Sequence, residues 1–156
     1  MGAWGYKALD SDEGLDVIDF LQDNIPKDYN LKLSKIISQM KGDLLGKDFE
    51  DIDFLYDNTA ISIAELYFMF KDKRKLNYTN EEDKTKSLKN IKTFIASKSS
   101  LKYLLKLLRG IKNEIPDEDG EREIIVLWKD SKEWKNWGKN LNKIIERMEE
   151  EIRGLE

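Results

Sequence analysis

The chain has 156 residues, of which 40% are hydrophobic and 37% are charged, and its net charge at pH 7 is −4. A chain of this length buries about 70% of the surface of its unfolded state, so it can form a full hydrophobic core. Histidine and cysteine are both absent, which excludes Ser-His-Asp and Cys-His catalysis, cysteine-ligated metals and disulfides.

The amino terminus shows no targeting signal. It lacks a basic segment followed by an apolar one, and no run of about eighteen apolar residues occurs in the chain. Tyr6 stands where N-myristoylation requires Ser or Thr. We therefore expect a cytoplasmic protein without a membrane span.

Helical periodicity begins near residue 10. Asp10 is predicted to be the N-cap of a first helix, with Glu13 completing a pair that resembles a capping box, and Pro26 ends this helix. Its apolar side consists of Leu15, Val17, Ile18, Leu21 and Ile25. Its opposite side carries Asp12, Asp16, Asp19 and Asp23. We expect these carboxylates to be solvated, because ligands on one exposed helix face cannot surround a metal ion.

Two further helices are predicted in the first half of the chain. The second follows Tyr29-Asn30 and has Gly42 and Gly46 near its end. Its apolar positions are Leu33, Ile36, Ile37, Met40 and Leu44. Asp57-Asn58-Thr59 is predicted to cap a third helix, in which residues 60–70 are apolar on nearly every side. The third helix is therefore the expected centre of the core.

The middle of the chain predicts two more helices and a turn. Thr79-x-x-Glu82 matches a capping box and predicts a helix with the apolar positions Leu88, Ile91, Phe94 and Ile95. The next helix begins at Ser99-Ser100 and ends at or just beyond Gly110. Its apolar positions are Leu101, Leu104, Leu105, Leu108 and Ile111. Residues 116–120, Pro-Asp-Glu-Asp-Gly, form a turn.

The last third is predicted to end in the longest helix. Residues 123–128 are compatible with a strand or a buried helical turn, and we predict a helix because no partner strand is evident. From Ser131 onward, apolar residues recur at helical spacing, namely Trp134, Trp137, Leu141, Ile144, Ile145, Met148 and Ile152. Because no linker or internal repeat divides the chain, residues 1–156 are predicted to form one all-α domain of six or seven helices.

The opening Met1-Gly2-Ala3-Trp4-Gly5, followed by Leu15-Asp16-x-x-Asp19, resembles a bacterial family of small proteins called domain of unknown function 4259. Members of that family begin with Gly-x-Trp-Gly and an acidic helix. Their helical domain ends in a tryptophan-bearing helix, to which Trp128, Trp134 and Trp137 are similar in placement. The segment Tyr6-Lys7-Ala8-Leu9-Asp10 departs from the usual family pattern. The resemblance implies a helical fold, and it implies no particular activity, cofactor or partner.

The amino-terminal signature allows two interpretations. The signature and interaction candidates are Gly2, Trp4, Gly5, Tyr6, Asp10, Asp12 and Asp16. Glycines permit close backbone approach and aromatic rings offer stacking surface, so Trp4 and Tyr6 could form a binding lip. Alternatively, both rings close the end of the helical core. We expect the second arrangement, because large aromatic side chains near a terminus are more often buried than displayed.

Charge is distributed unevenly along the chain. Residues 1–70 have a net charge of −8, residues 71–112 of +9, and residues 113–156 of −5. Lys102, Lys106 and Arg109 share one helix face, opposite the leucines of the same helix. We expect a solvated basic face, with an acidic protein as a possible partner. Nucleic-acid binding is less favoured, because the whole chain is acidic and lysine supplies charge without bidentate recognition.

Three functions remain open at this point. The favoured one is a non-catalytic protein-interaction module, such as an immunity- or antitoxin-like binder. The alternative is binding of a nucleic acid or an acidic partner through residues 71–112. The third is an enzyme that uses carboxylates, Lys, Tyr or a metal, which requires a polar pocket with groups of shifted pKa. We predict no catalytic residue, no metal ligand and no cofactor, since no recognisable motif for them occurs.

Overall fold

A computed structural model of the protein describes residues 3–41 and 53–155. Within these ranges the chain forms six α-helices and two short strands, which confirms the predicted all-α class. The helices are α1 (Asp12–Asp23), α2 (Leu33–Gln39), α3 (Phe54–Lys73), α4 (Lys98–Lys112), α5 (Glu123–Lys129) and α6 (Trp134–Gly154). The strands are β1 (Asn30–Lys32) and β2 (Thr93–Ile95), which pair in parallel.

Helix α3 is the centre of the core, as predicted. Nearly every side chain from Phe54 to Phe70 is buried, including the polar residues Asp57, Asn58 and Ser62. Helices α1, α4, α5 and α6 all pack against it. A helix covered on all sides needs few polar residues, which explains why residues 60–70 lack the polar face that the outer helices have.

Helices α4 and α6 pack against each other and close one side of the core. Both are strongly amphipathic, and their apolar faces contain the predicted leucines and isoleucines. At the start of α6, Trp137 stacks between two other indoles, with ring centroids 5.9 Å from Trp128 and 5.5 Å from Trp134. Helix α5 confirms the helix predicted at residues 123–128, and helix α6 confirms the predicted terminal helix.

The predicted helix after Thr79 is wrong. Asn80 accepts hydrogen bonds from the backbone N–H groups of Glu82 and Asp83, and Asp83 in turn accepts one from Thr85. These local bonds favour turns over a helix, and the chain continues through two short 3-10 segments, Lys84–Lys86 and Leu88–Asn90, into β2. The predicted apolar positions Leu88, Ile91 and Phe94 are buried, whereas Ile95 is exposed.

Two predicted helix caps are also wrong. Ser11, and not Asp10, caps α1, because its Oγ accepts a hydrogen bond from the N–H of Gly14 at 3.0 Å. Asp53 caps α3 by accepting a hydrogen bond from the N–H of Leu55 at 2.8 Å. The third helix thus begins one turn earlier than predicted, and Asp57-Asn58-Thr59 lies inside it. In both cases another residue with an equally suitable side chain takes the cap, Ser11 directly after Asp10 and Asp53 one helical turn before Asp57.

The remaining boundaries agree more closely with the predictions. Helix α1 ends at Asp23, shortly before Pro26, although Leu15 on its predicted apolar side is exposed. The turn at residues 116–120 is present, with Gly120 at a φ of 82°. The predictions for Gly42, Leu44 and Gly46 lie outside the described residues. None of the helices described here is both long and apolar enough to cross a bilayer.

Candidate functional site

Residues 3–11 form a loop that is fixed to the helical core. The N–H of Trp4 donates a hydrogen bond to the Asp10 carbonyl at 2.9 Å, and Ala3 forms an antiparallel bridge with Ser11. Ala8 and Leu9 are the buried apolar residues of this loop, Tyr6 is half-buried and Trp4 is 61% exposed. The prediction that both rings seal the core is therefore wrong for Trp4, whereas Tyr6 is partly buried and packs against the core beside the buried Ala8 and Leu9.

The loop is held by Glu65 of α3. Its two carboxylate oxygens accept hydrogen bonds from the backbone N–H groups of Ala8 at 3.0 Å and Leu9 at 2.9 Å. The side-chain amide of Asn140 on α6 donates a third hydrogen bond at 2.9 Å. Burial raises the pKa of the Glu65 carboxyl, although these donors and nearby Lys7 favour its ionised form. Glu65 thus joins the amino-terminal loop to two helices.

Further contacts fix the loop where it enters α1. The side-chain amide of Asn58 donates to Ser11 Oγ at 3.1 Å and to the Ala8 carbonyl oxygen at 3.4 Å. Gly14 lies so close to this backbone that an added Cβ would stand 2.3 Å from the Ala8 oxygen. Gly5 lies against the Asp10 carboxylate, which would have to move if Gly5 carried a side chain. The glycines at these two positions therefore permit close packing of the loop.

A buried ion pair connects three other parts of the fold. The Arg122 guanidinium donates to both carboxylate oxygens of Asp57, at 2.9 and 2.8 Å. Its Nη1 also donates to the carbonyl oxygens of Gly110 at 3.1 Å and Ile115 at 2.9 Å. Burial raises the pKa of the Asp57 carboxyl despite the opposing effect of Arg122. The pair fixes the end of α4 and the following loop to α3.

An open groove of about 510 Å³ runs between α4 and α6. Lys102, Lys106 and Arg109 of α4 and Arg153 of α6 line it, so the three candidates for the basic face lie together on one surface. The single carboxylate of the groove is Glu149, which forms a salt bridge of 2.9 Å with Arg109. The groove therefore carries a positive charge.

The floor and one end of this groove are apolar. Leu105 of α4 and Ile152 of α6 line it and are themselves buried in the core. Ile115, which follows α4, lines the groove with a side chain that is 51% exposed. The backbone carbonyl of Ile115 accepts one of the hydrogen bonds of Arg122, at 2.9 Å. The groove thus combines basic side chains at its rims with apolar side chains, and Arg122 fixes the backbone at its Ile115 end.

A smaller cavity of about 190 Å³ lies between the amino-terminal loop, α3 and α6. Glu65 and Asn140 line it, together with four basic residues, Lys7, Lys73, Lys143 and Arg147. Arg147 forms a bidentate ion pair with Asp72 at 2.9 and 2.7 Å and lies over the ring of Phe68. The other lining side chains include Leu9, Met69 and Ile144.

The predicted acidic face of α1 carries no metal-binding arrangement. Asp12, Asp16, Asp19 and Asp23 are all exposed, in agreement with the expected solvated face. Across residues 3–41 and 53–155, no three carboxylates come close enough to hold a metal ion.

The chain matches the model of one protein family. The model of Domain of unknown function (DUF4259) matches residues 2–140. The chain belongs to this family. No curated protein and no solved structure matches the chain. The matched region contains the amino-terminal loop, Glu65, Arg122 and Asn140, whereas Glu149, Ile152 and Arg153 of the groove lie beyond it.

In this DUF4259 chain, the sequence did not predict two sets of buried polar contacts, those of Glu65 and those of the Asp57–Arg122 pair. Glu65 is the single charged residue between residues 58 and 70, a stretch that is otherwise apolar or uncharged. An isolated carboxylate in a buried helix needs hydrogen-bond donors, so its position was an available signal. Arg122 carried no comparable signal, because it lies in a polar stretch before α5.

Proposed function

We propose that this DUF4259 protein is a non-catalytic protein-interaction module of the cytoplasm, comparable to an immunity protein or an antitoxin. Its binding surface is the groove between α4 and α6, and its ligand is an acidic segment of a partner protein. The observation that supports the proposal is the composition of the groove, in which four basic side chains and one carboxylate surround an apolar floor.

The charge of the groove favours an acidic partner. Lys102 and Arg153 form no salt bridge with any described residue, and both belong to the groove lining. Arg109 and Glu149 form a salt bridge, so their opposite charges neutralise each other within the groove. Complementary charge accelerates association and selects among partners, and its effect weakens as salt rises. Association with this groove should therefore be fastest at low ionic strength.

The apolar floor favours a protein segment over a nucleic acid. Phosphate contacts need only basic side chains, whereas the exposed side chain of Ile115, next to the buried floor residues Leu105 and Ile152, offers apolar surface that an apolar side chain can cover. Of the two arginines in the groove, Arg109 is paired with Glu149, so Arg153 alone presents an arginine fork of donors for phosphates or base edges. A peptide with alternating acidic and apolar residues has both of the complementary features.

The groove is also preorganised. The Asp57–Arg122 pair fixes the backbone at Gly110 and Ile115, so this end of the groove needs little ordering when a ligand binds. A surface that is fixed before binding loses less conformational entropy on association. Its volume of about 510 Å³ is also large enough for several side chains of a partner.

The test uses a short, fluorescently labelled peptide of alternating Glu and Leu residues, with binding followed by anisotropy at low salt. The groove variant carries Lys102→Glu and Arg153→Glu. The control variant carries Lys132→Glu and Lys139→Glu, which changes the net charge equally on exposed residues outside the groove. We expect the groove variant to bind roughly tenfold more weakly and the control to bind like wild type, since tenfold corresponds to about 1.4 kcal/mol.

Two control ligands separate the contributions. A peptide with Gln in place of Glu should bind weakly because it lacks charge, and a single-stranded oligonucleotide should bind weakly because it leaves the apolar floor uncovered. The proposal is wrong if the oligonucleotide binds more tightly than the acidic peptide. It is also wrong if both charge-reversal variants lose equal affinity, since binding would then follow net charge and not the groove.

A further inference from the structure

The smaller cavity, between the amino-terminal loop, α3 and α6, has the features of a second binding site. Its volume of about 190 Å³ corresponds to about six water molecules, since each takes about 30 Å³ in the liquid. This space suits a small organic molecule and is too small for a peptide segment.

The mouth of this cavity holds three lysines whose charge is not neutralised by contact. Lys7, Lys73 and Lys143 are exposed, and none of them forms a salt bridge with another residue in the described parts of the chain. The fourth basic residue, Arg147, is occupied by its two hydrogen bonds to Asp72. The cavity lining therefore has an excess of positive charge, although it contains two carboxylates.

The carboxylate of Glu65 does not cancel this charge at the mouth. Both of its oxygens accept backbone N–H groups of the amino-terminal loop, and one also accepts the Asn140 amide. These three donors stabilise the carboxylate locally. The second carboxylate of the lining, Asp72, accepts two hydrogen bonds from the Arg147 guanidinium, so its charge is paired as well.

The walls of the cavity are apolar. Leu9 belongs to the amino-terminal loop, Phe68 and Met69 to α3, and Ile144 to α6. Small-molecule sites commonly combine such walls with a few polar groups that fix the ligand's orientation. A purely inorganic anion would leave these walls uncovered.

We propose that this cavity binds a small organic anion, with its oxyanion between Lys7 and Lys143 and its apolar body against Leu9, Met69 and Ile144. The oxyanion is a carboxylate or a phosphate monoester, since lysine ammonium groups donate to both. The site gives the amino-terminal loop a role, because this loop supplies Lys7 and Leu9 and is held in place by Glu65.

The test titrates the isotope-labelled protein with benzoate and, separately, with phenyl phosphate, and follows the backbone amide signals by NMR. Both probes carry an apolar ring and an oxyanion. The amides of Ala8 and Leu9 are the most informative reporters, because both donate to Glu65 at the cavity wall. We expect a saturable shift of these signals with a dissociation constant of about 1 mM, which is typical of ligands with so few atoms.

Two comparisons make the result specific. A variant with Lys7→Gln and Lys143→Gln should bind at least fivefold more weakly. A control with Lys135→Gln and Lys139→Gln, on the exposed side of α6, should bind like wild type. Tighter binding of phenyl phosphate would identify a phosphate ester as the better ligand, and tighter binding of benzoate a carboxylate.

Three outcomes would overturn the proposal. The first is the absence of a saturable shift at Ala8 and Leu9 with either probe. The second is equal binding of benzyl alcohol, which shares the ring and lacks the charge. The third is unchanged affinity in the Lys7→Gln, Lys143→Gln variant. These outcomes leave the groove between α4 and α6 untouched, because none of its lining residues is altered.

Discussion

Replacement of Arg122 by methionine tests the role of the buried ion pair. The guanidinium makes four hydrogen bonds, two to the Asp57 carboxylate and two to the carbonyl oxygens of Gly110 and Ile115. Both charged side chains are buried, so Arg122→Met leaves the Asp57 charge without its partner in the interior. Removal of one member of a buried pair costs about 3–5 kcal/mol, and we expect a loss of that size in the free energy of unfolding.

The loss should depend on pH in a defined direction. Burial raises the pKa of Asp57 above its ordinary value of 3.8 in the wild type, and removal of Arg122 raises it further. Between 3.8 and the pKa in the fold, the folded state binds a proton that the unfolded state has released. Stability therefore falls as pH rises through this interval, and it falls further in the variant. The deficit of Arg122→Met should be smallest in acid and largest at neutral pH.

The assay is urea denaturation followed by tryptophan fluorescence, in mildly acidic and in neutral buffer. A double variant with Asp57→Leu and Arg122→Met is the control. It removes both charges and should recover most of the lost stability, because no unpaired buried charge remains. A loss below about 1 kcal/mol, or a deficit that grows towards acid pH, would refute the assigned role of the pair.

Three further substitutions test the account of the loop and the surface, each by urea denaturation. Gly14→Ala should destabilise the fold by about 1–3 kcal/mol, because the added methyl group overpacks against the Ala8 carbonyl. Gly138→Ala is the control, since Gly138 has open space around it in α6, and it should stabilise the fold by about 0.5–1 kcal/mol. Equal effects of the two substitutions would contradict the close packing at Gly14. Glu65→Gln replaces one accepting oxygen by an amide donor, so at least one of the three hydrogen bonds that Glu65 accepts is lost. The free energy of unfolding should therefore fall by about 1–3 kcal/mol. An unchanged free energy of unfolding would mean that Glu65 does not hold the loop. Asp72→Asn removes an exposed pair with Arg147 and should cost less than about 1 kcal/mol. The Arg147 guanidinium lowers the pKa of Asp72, so this contribution is lost as pH falls through that lowered value, and a difference that persists in strong acid would be inconsistent with it.

The outer helices were predictable because their burial is one-sided. In α4 and α6, apolar residues recur every three or four positions, and the residues predicted to be apolar contacts are buried in the structure, apart from the partly buried Trp134. The same periodicity located the basic face of Lys102, Lys106 and Arg109, since the side opposite a buried stripe faces solvent. Helix α5 was predicted only from the lack of a partner strand.

The wrong predictions concern segments whose conformation is determined by local hydrogen bonds or by contacts with residues distant in sequence. Near Thr79 the side chains of Asn80 and Asp83 bind the backbone, so a capping-box spacing leads into turns and a strand. Two suitable cap residues, Asp10 and Ser11, are adjacent in the sequence, and the contacts of the Ser11 hydroxyl with Ala8 and Asn58 distinguish them. The exposure of Trp4 follows from an anchor on Glu65, which is distant in sequence.

The most direct test of the proposed interaction is site-specific photo-crosslinking in living cells of the source organism. A photoreactive amino acid replaces Ile115 at the exposed end of the groove, and in a control protein it replaces Asp16 on α1. We expect the probe at position 115 to capture one acidic protein, and we expect Lys102→Glu with Arg153→Glu to abolish this adduct. The probe at position 16 should capture none. A groove adduct with nucleic acid, or an adduct that forms equally from both positions, would contradict it.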